Sequence, residues 1–308
     1  LSDRVDMADG KQQLIDLVAN ELDQPVDPRV ADVAAYIAGQ HGSARAVLFY
    51  GSCLRQSQLD GLMLDFYLIV DDYRTAYSKA WLAYANRLLP PNVFPVETKG
   101  IAAKYAVLSQ ADFARLASAN TRNVSVWARF AQPSRLAWVR DEASRLETIK
   151  AVAYAAPALL SAARPMLAQD IQPLDLWRGA FALTYSAELR AERTERGQSV
   201  VDAEPARYLA FTQPALSVAA IDLAAPVTGD QRRTARSAWR RRRIEGKMLT
   251  VLRLAKASLT FADGIDYLAW KINRHAGTQI AIRNWQRRWP IMGALILLPH
   301  LLKRGAVR

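Results

Sequence analysis

The chain has 308 residues, 51% of them hydrophobic and 23% charged, with a single cysteine, Cys53. This composition excludes a disordered polymer, and one cysteine excludes a disulfide framework. A formal charge of +12 and a pI near 10.0 point to a polyanionic partner, either nucleic acid or an anionic membrane surface.

Residues 11–22 and 28–39 carry apolar side chains at helical spacing, among them Leu14, Ile15, Val18 and Leu22, and predict two amphipathic helices. Pro28 suits the first turn of the second helix, where its missing N–H costs nothing. The opening LSDRVDMADGKQQ is polar and lacks the apolar stretch of a secretion signal. Residues 46–50 and 62–70 are apolar runs rich in strand formers, separated by Gly51-Ser52 and a loop. A helix is expected over residues 73–89, ended by Pro90-Pro91. Residues 94–97 and 101–108 read as a hairpin around Thr98-Lys99-Gly100. Ser109 is a natural N-cap for a helix over 110–117. Residues 124–140 read as a short helix followed by a strand through 136–139.

From Asp141 strand formers thin out and alanine becomes dense. Helices are expected from there, with Pro157 and Pro165 as kinks or boundaries. A longer helix over 174–196 is stopped by Gly197, residues 198–231 are less regular, and further helices cover 232–254 and 263–275. The expected organisation is α/β: an N-terminal domain, residues 1–140, with a mixed, largely antiparallel sheet, then a mainly helical region, residues 141–308.

One feature of the second strand is chemically unusual. Asp65 is the lone carboxylate of LMLDFYLIV, and burying an unpaired charge is costly. A metal ion is one partner that relieves this cost. Gly51 lets backbone N–H groups approach a phosphate without a Cβ in the way, and Ser52 adds a hydroxyl. The pattern fits a phosphate and metal site of the nucleotidyltransferase type. It fits equally a turn followed by a strand with one satisfied aspartate. Residues two apart on a strand share a face, so Met63, Asp65 and Tyr67 point the same way. Many nucleotidyltransferases carry two carboxylates at such positions, but here only Asp65 is acidic. Asp60 and Glu97 are candidates for the missing ligand, with Glu97 favoured because a neighbouring strand could place it opposite Asp65. Lys104 is either an edge lysine reaching water or a cation for a triphosphate. Arg129 is a second phosphate candidate. Glu188 and Arg190 read first as a helical ion pair. Cys53 reads as a small turn residue, not a nucleophile.

YGSCLRQ followed by LMLDFYLIVDD resembles the Tam-type (translocator assembly and maintenance) phosphatidate cytidylyltransferases, a mitochondrial family with bacterial relatives. The likeness runs on through PPNVFPVETKGIAAKYAVLSQADF and VWARFAQPSRL, with a weaker echo in TYSAELR. It is continuous over residues 50–136 and patchy to 190. The resemblance implies a nucleotidyltransferase fold and synthesis of CDP-diacylglycerol from CTP and phosphatidate with magnesium and release of pyrophosphate. The site residues expected from the pattern and the resemblance together are Gly51, Ser52, Lys104 and Arg129 at the nucleotide, Asp65 and Lys104 in catalysis, and Asp65 with Glu97 at the metal. The family also shows a single aspartate in this strand.

Residues 232–256 hold ten basic side chains and one acid, Glu245, with Trp239, Ile244, Met248, Leu249 and Leu252 interleaved. Such a stretch suits anionic lipid or nucleic-acid phosphate, and no RNA- or DNA-binding signature accompanies it. The tail WQRRWPIMGALILLPHLLKR has an apolar centre flanked by Trp285, Trp289 and cations, the layout of an interfacial segment. A buried terminal helix is its alternative. The residues expected on lipid are Arg240, Arg241, Arg242, Arg243 and Trp289. The expectation is a cytoplasmic protein, peripheral on the inner face of a bacterial membrane, with nucleic acid not a partner.

Overall fold

The computed structural model describes residues 2–55, 58–59, 61–187 and 196–260. The chain starts with α1 (Ser2–Leu22) and α2 (Pro28–Gly39). Asp27 caps α2, its carboxylate accepting from the Arg29 N–H, with Pro28 in the first turn. Strand β1 (Ala44–Tyr50) leads into a short 3₁₀ turn and then β2 (Met63–Val70). The helix expected over 73–89 is two pieces, α3 (Tyr73–Ala76) and α4 (Ala80–Leu88). Between them Tyr77 is extended and buried, its hydroxyl accepting from Asn86 Nδ2 at 3.2 Å. Anchoring that ring breaks the helix. Strands β3 (Asn92–Thr98) and β4 (Ile101–Ser109) form the expected hairpin. Its two turn residues, Lys99 and Gly100, both have positive φ, as the tight primed turns require.

Ser109 caps α5 (Gln110–Ala117), accepting from the Asp112 N–H. Helix α6 (Ser125–Phe130) and β5 (Ser134–Val139) follow. Asp141 caps α7 (Glu142–Ala153), accepting from the Ser144 N–H. Then come α8 (Ala155–Ala163), α9 (Pro173–Ala187), α10 (Arg196–Ala203), α11 (Pro205–Val218) and α12 (Gly229–Thr260). Gly197 therefore lies inside α10 and ends no helix. The stretch expected to be irregular is largely helical: Pro205 sits in the first turn of α11 and Pro214 inside it. Burial of Tyr208, Phe211 and Leu216 outweighs the one N–H that Pro214 removes.

The five strands are ordered β3-β4-β2-β1-β5. Only β2 and β4 run parallel; the other pairs are antiparallel. The sheet is mixed and largely antiparallel, and helices dominate the C-terminal region. One sheet face, with Phe49, Phe66 and Val107, packs under Val33, Ile37, Tyr73 and Ala83 of α2–α4. The other, with Leu48, Tyr67 and Leu108, shares an apolar cluster with Leu14 of α1, Leu159, Trp177 and Tyr208 of the helical region, and Trp239 of α12. That cluster runs straight across residue 141. The change of composition expected there as a domain boundary falls at the Asp141 cap of α7. No helix among the described residues is long and apolar enough to cross a membrane.

Candidate nucleotide and metal site

The strand register builds the site. Asp65 pairs with Tyr50 on β1 and with Lys104 on β4. Directly opposed residues share a sheet face, so Tyr50, Asp65 and Lys104 form one row facing the helical layer. Lys104 Nζ lies 2.9 Å from Asp65 Oδ1, with the two side chains 25% and 27% exposed. The pair is half-buried yet open to solute.

Gly51 follows Tyr50 directly and has φ +97°. A Cβ there would lie 3.6 Å from Asp65 Oδ2, ordinary contact. The demand for glycine is therefore conformational, and it runs bare backbone past Asp65 Oδ2. Ser52 is exposed and opens the 3₁₀ turn Ser52–Arg55, with the Leu54 N–H donating to Gly51 O at 3.2 Å.

Arg129 arrives from α6. It donates to Ser125 O and to the Tyr50 hydroxyl. Tyr50 packs on Tyr67 and Phe130 at ring distances of 5.2 and 6.0 Å. Burial, then the charge of Asp65, pushes its phenol well above the usual range, with Arg129 pulling the other way. Tyr50 is a neutral post that holds Arg129 beside the Asp65 row. Its role was not legible in the sequence, since only the register puts it next to Asp65. Cys53 is buried, with Sγ 3.7 Å from Met63 O. Burial and the nearby Asp65 charge raise its pKa, which keeps it a thiol, in keeping with a turn residue.

The structure thus gathers Gly51, Ser52, Asp65, Lys104 and Arg129. It does not bring Glu97 opposite Asp65. Glu97 is exposed and pairs with Ala102 on β4, so β4 stands between it and β2. Two strand spacings and two residues along the strand separate their Cα atoms by about 12 Å. Lys104 takes the position expected for Glu97. Asp60, Glu188, Arg190 and Trp289 lie outside the described residues, as does the tail over 276–308. Among the described residues no group of three His, Cys, Asp or Glu side chains could hold a metal ion.

The basic helix α12 divides its cations. Arg240, Arg241 and Arg243 are exposed. Arg242 is not directed outward as expected: its guanidinium lies 5.2 Å from the Trp239 ring, and burial lowers its pKa. The inward seam repeats every seven residues. Trp239, fully buried, donates from Nε1 to Ala162 O at 2.8 Å. Gly246 lies so close to α9 that a Cβ would fall 2.1 Å from Ala187 O. Arg253 donates to Pro90 O at 2.9 Å and to Ser125 Oγ at 3.2 Å. Lys256 donates to Leu89 O and, at 2.9 Å, to Pro91 O. The Trp239-Gly246-Arg253 spacing was the signal for this seam. Ile244, Met248 and Leu252 remain exposed.

No protein-family model and no curated protein matches this chain.

Proposed function

We propose that this chain is a nucleotidyltransferase, a phosphatidate cytidylyltransferase that moves CMP from CTP to phosphatidate and releases pyrophosphate. The observation that carries the reading is the Asp65 row. A solvent-reachable carboxylate lies between positive-φ Gly51 and Lys104, with Arg129 held at its edge. The motifs of residues 50–136, which resemble the Tam-type family, supply the choice of CTP and phosphatidate.

Magnesium is commonly held by one or two carboxylates, with substrate phosphates and water completing its shell. Asp65 is one such carboxylate, and the donor set fits magnesium carried in on the triphosphate. When bound, the ion neutralises phosphate charge in the transition state. Gly51 and Ser52 would then seat the triphosphate through backbone N–H groups and a hydroxyl. Lys104 and Arg129 would neutralise charge on the phosphates. A phosphatidate phosphate oxygen attacks the α-phosphorus, the bond from that phosphorus to the bridging oxygen breaks, and pyrophosphate leaves with the electron pair. The nucleophile is already an anion, so positioning replaces a strong general base.

Because phosphatidate resides in bilayers, the enzyme works as a peripheral protein on the cytoplasmic face of a bacterial inner membrane. Arg240, Arg241 and Arg243 would lie on lipid phosphates. A second reading, a non-catalytic module that binds RNA or membrane through its basic face, is favoured by one observation: the residues paired with Asp65 on its neighbouring strands are Tyr50 and Lys104, neither a carboxylate.

Incubation with magnesium, each labelled nucleoside triphosphate and phosphatidate vesicles separates the readings. Pyrophosphate and a nucleotide-lipid are expected with CTP. Nucleotide turnover with other acceptors but none with lipid would move the activity to a different substrate. Failure to bind any nucleotide would leave the module.

A further inference from the structure

Helix α4 presents an apolar stripe to solvent. Trp81, Tyr84 and Leu88 are 44%, 69% and 88% exposed, and their spacing puts them on one helix face. The opposite face is locked down. Asn86 is fully buried; its Nδ2 donates to Val107 O at 2.9 Å and to Tyr77 Oη at 3.2 Å, while its Oδ1 accepts from the Asn92 N–H. Asn92 Nδ2 returns a bond to Leu82 O at 3.0 Å. The stripe therefore faces outward because a buried amide pair aims it there.

The surroundings select the occupant. No acidic residue occurs from residue 73 to residue 96, while Arg74, Lys79 and Arg87 are exposed around the stripe. Tryptophan and tyrosine settle at the headgroup level of bilayers, where an apolar ring and a polar edge are both satisfied. Contiguous apolar patches on soluble proteins mark interaction sites. Leu88 adjoins the Leu89–Pro91 carbonyls that Arg253 and Lys256 grip, so the exposed Leu252 end of α12 reaches the same corner.

We propose that α4 is a membrane-insertion element: Trp81, Tyr84 and Leu88 enter the interface of an anionic bilayer, and Lys79 and Arg87 engage its headgroup phosphates. The proposal rests on the membrane part of the reading above and not on its chemistry. It adds a contact that the basic helix and the tail do not supply.

The test uses the full chain without nucleotide, so its outcome is independent of turnover. Partitioning is measured on phosphatidylcholine vesicles with and without phosphatidylglycerol, for the parent and for a Trp81→Ser, Tyr84→Ser, Leu88→Ser triple variant. The variant is expected to lose about tenfold or more in affinity for the anionic vesicles, with an unchanged denaturation midpoint. A Tyr84→Cys variant carrying a polarity-sensitive dye should shift its emission to the blue with anionic vesicles only. Parent-like vesicle binding by the triple variant overturns the proposal. So does a fall in its denaturation midpoint, which would show the stripe packed by the chain itself. Conversion of a dimer to a monomer with vesicle binding retained overturns it too, assigning the stripe to a second copy.

Discussion

Two carboxylate–cation pairs in this protein are built to opposite specifications. Glu21 of α1 and Arg207 of α11 are each 9% exposed. Their contact is bidentate, Arg207 Nη1 also donates to Ala131 O at 3.0 Å, and its guanidinium lies 4.2 Å from the Phe211 ring centroid. Asp65 and Lys104 are about a quarter exposed, with Nζ 2.9 Å from Oδ1 and Oδ2 beside Gly51. The first pair is buried and bidentate, and it stitches the N-terminal helix to the helical region. The second is partly open to solute. A buried bidentate pair holds structure, whereas a partly exposed pair stays accessible to solute ions.

The sharpest way to break this comparison is to mutate one member of each pair. Glu21→Gln leaves Arg207 buried without a counter-charge and should lower stability by about 3–5 kcal/mol, read from urea midpoints. Asp65→Ala, at a partly exposed pair, should cost less, about 1–2 kcal/mol, yet abolish nucleotide-lipid formation. Comparable stability losses in the two variants would make Asp65–Lys104 a structural pair as well.

Next in size is the α12 seam. Gly246→Ala drives a methyl group into the Ala187 carbonyl and should cost about 1–3 kcal/mol, with α12 shifted off α9. An unchanged midpoint and unchanged amide exchange in α12 would show that the close approach is not needed.

A further effect, read through pH, falls on Lys256. Burial, with Arg253 adjacent, lowers the Lys256 pKa to about 7 from its ordinary value of 10.5. Between these values the unfolded chain holds a proton that the folded chain has released, so this residue makes stability rise with pH from about 7 to about 10.5. Lys256→Met should flatten that rise in urea titrations, and an unchanged slope would place the pH dependence elsewhere. The smallest effect is kinetic: Cys53 should label slowly with a thiol reagent near neutral pH and quickly in urea. Rapid labelling of the folded protein would contradict its burial and raised pKa.

Much of this molecule could be read along the chain because its determinants are local. The Asp27 and Ser109 caps, the Lys99-Gly100 turn, the β1–Gly51–β2 layout and the helical bias after Asp141 depend on residues a few positions apart. There the backbone chooses its own partners. Strand order has no such local origin. Inserting β4 between β2 and β3 set Lys104, not Glu97, against Asp65, and the β1 register brought Tyr50 and Arg129 to the same row. Likewise, the ten cations of residues 232–256 look alike in sequence. Packing alone turned Arg242, Arg253 and Lys256 inward and left Arg240, Arg241 and Arg243 outside, because which helix face is buried depends on the surface it meets. The sequence by itself determined the capped and turn-bounded elements, though not the break at Tyr77 or the helices over 196–218, and it supplied the residues of the candidate site. Tertiary structure decided which side chains stand together, since pairing across strands and between helices is settled by burial that no short stretch contains.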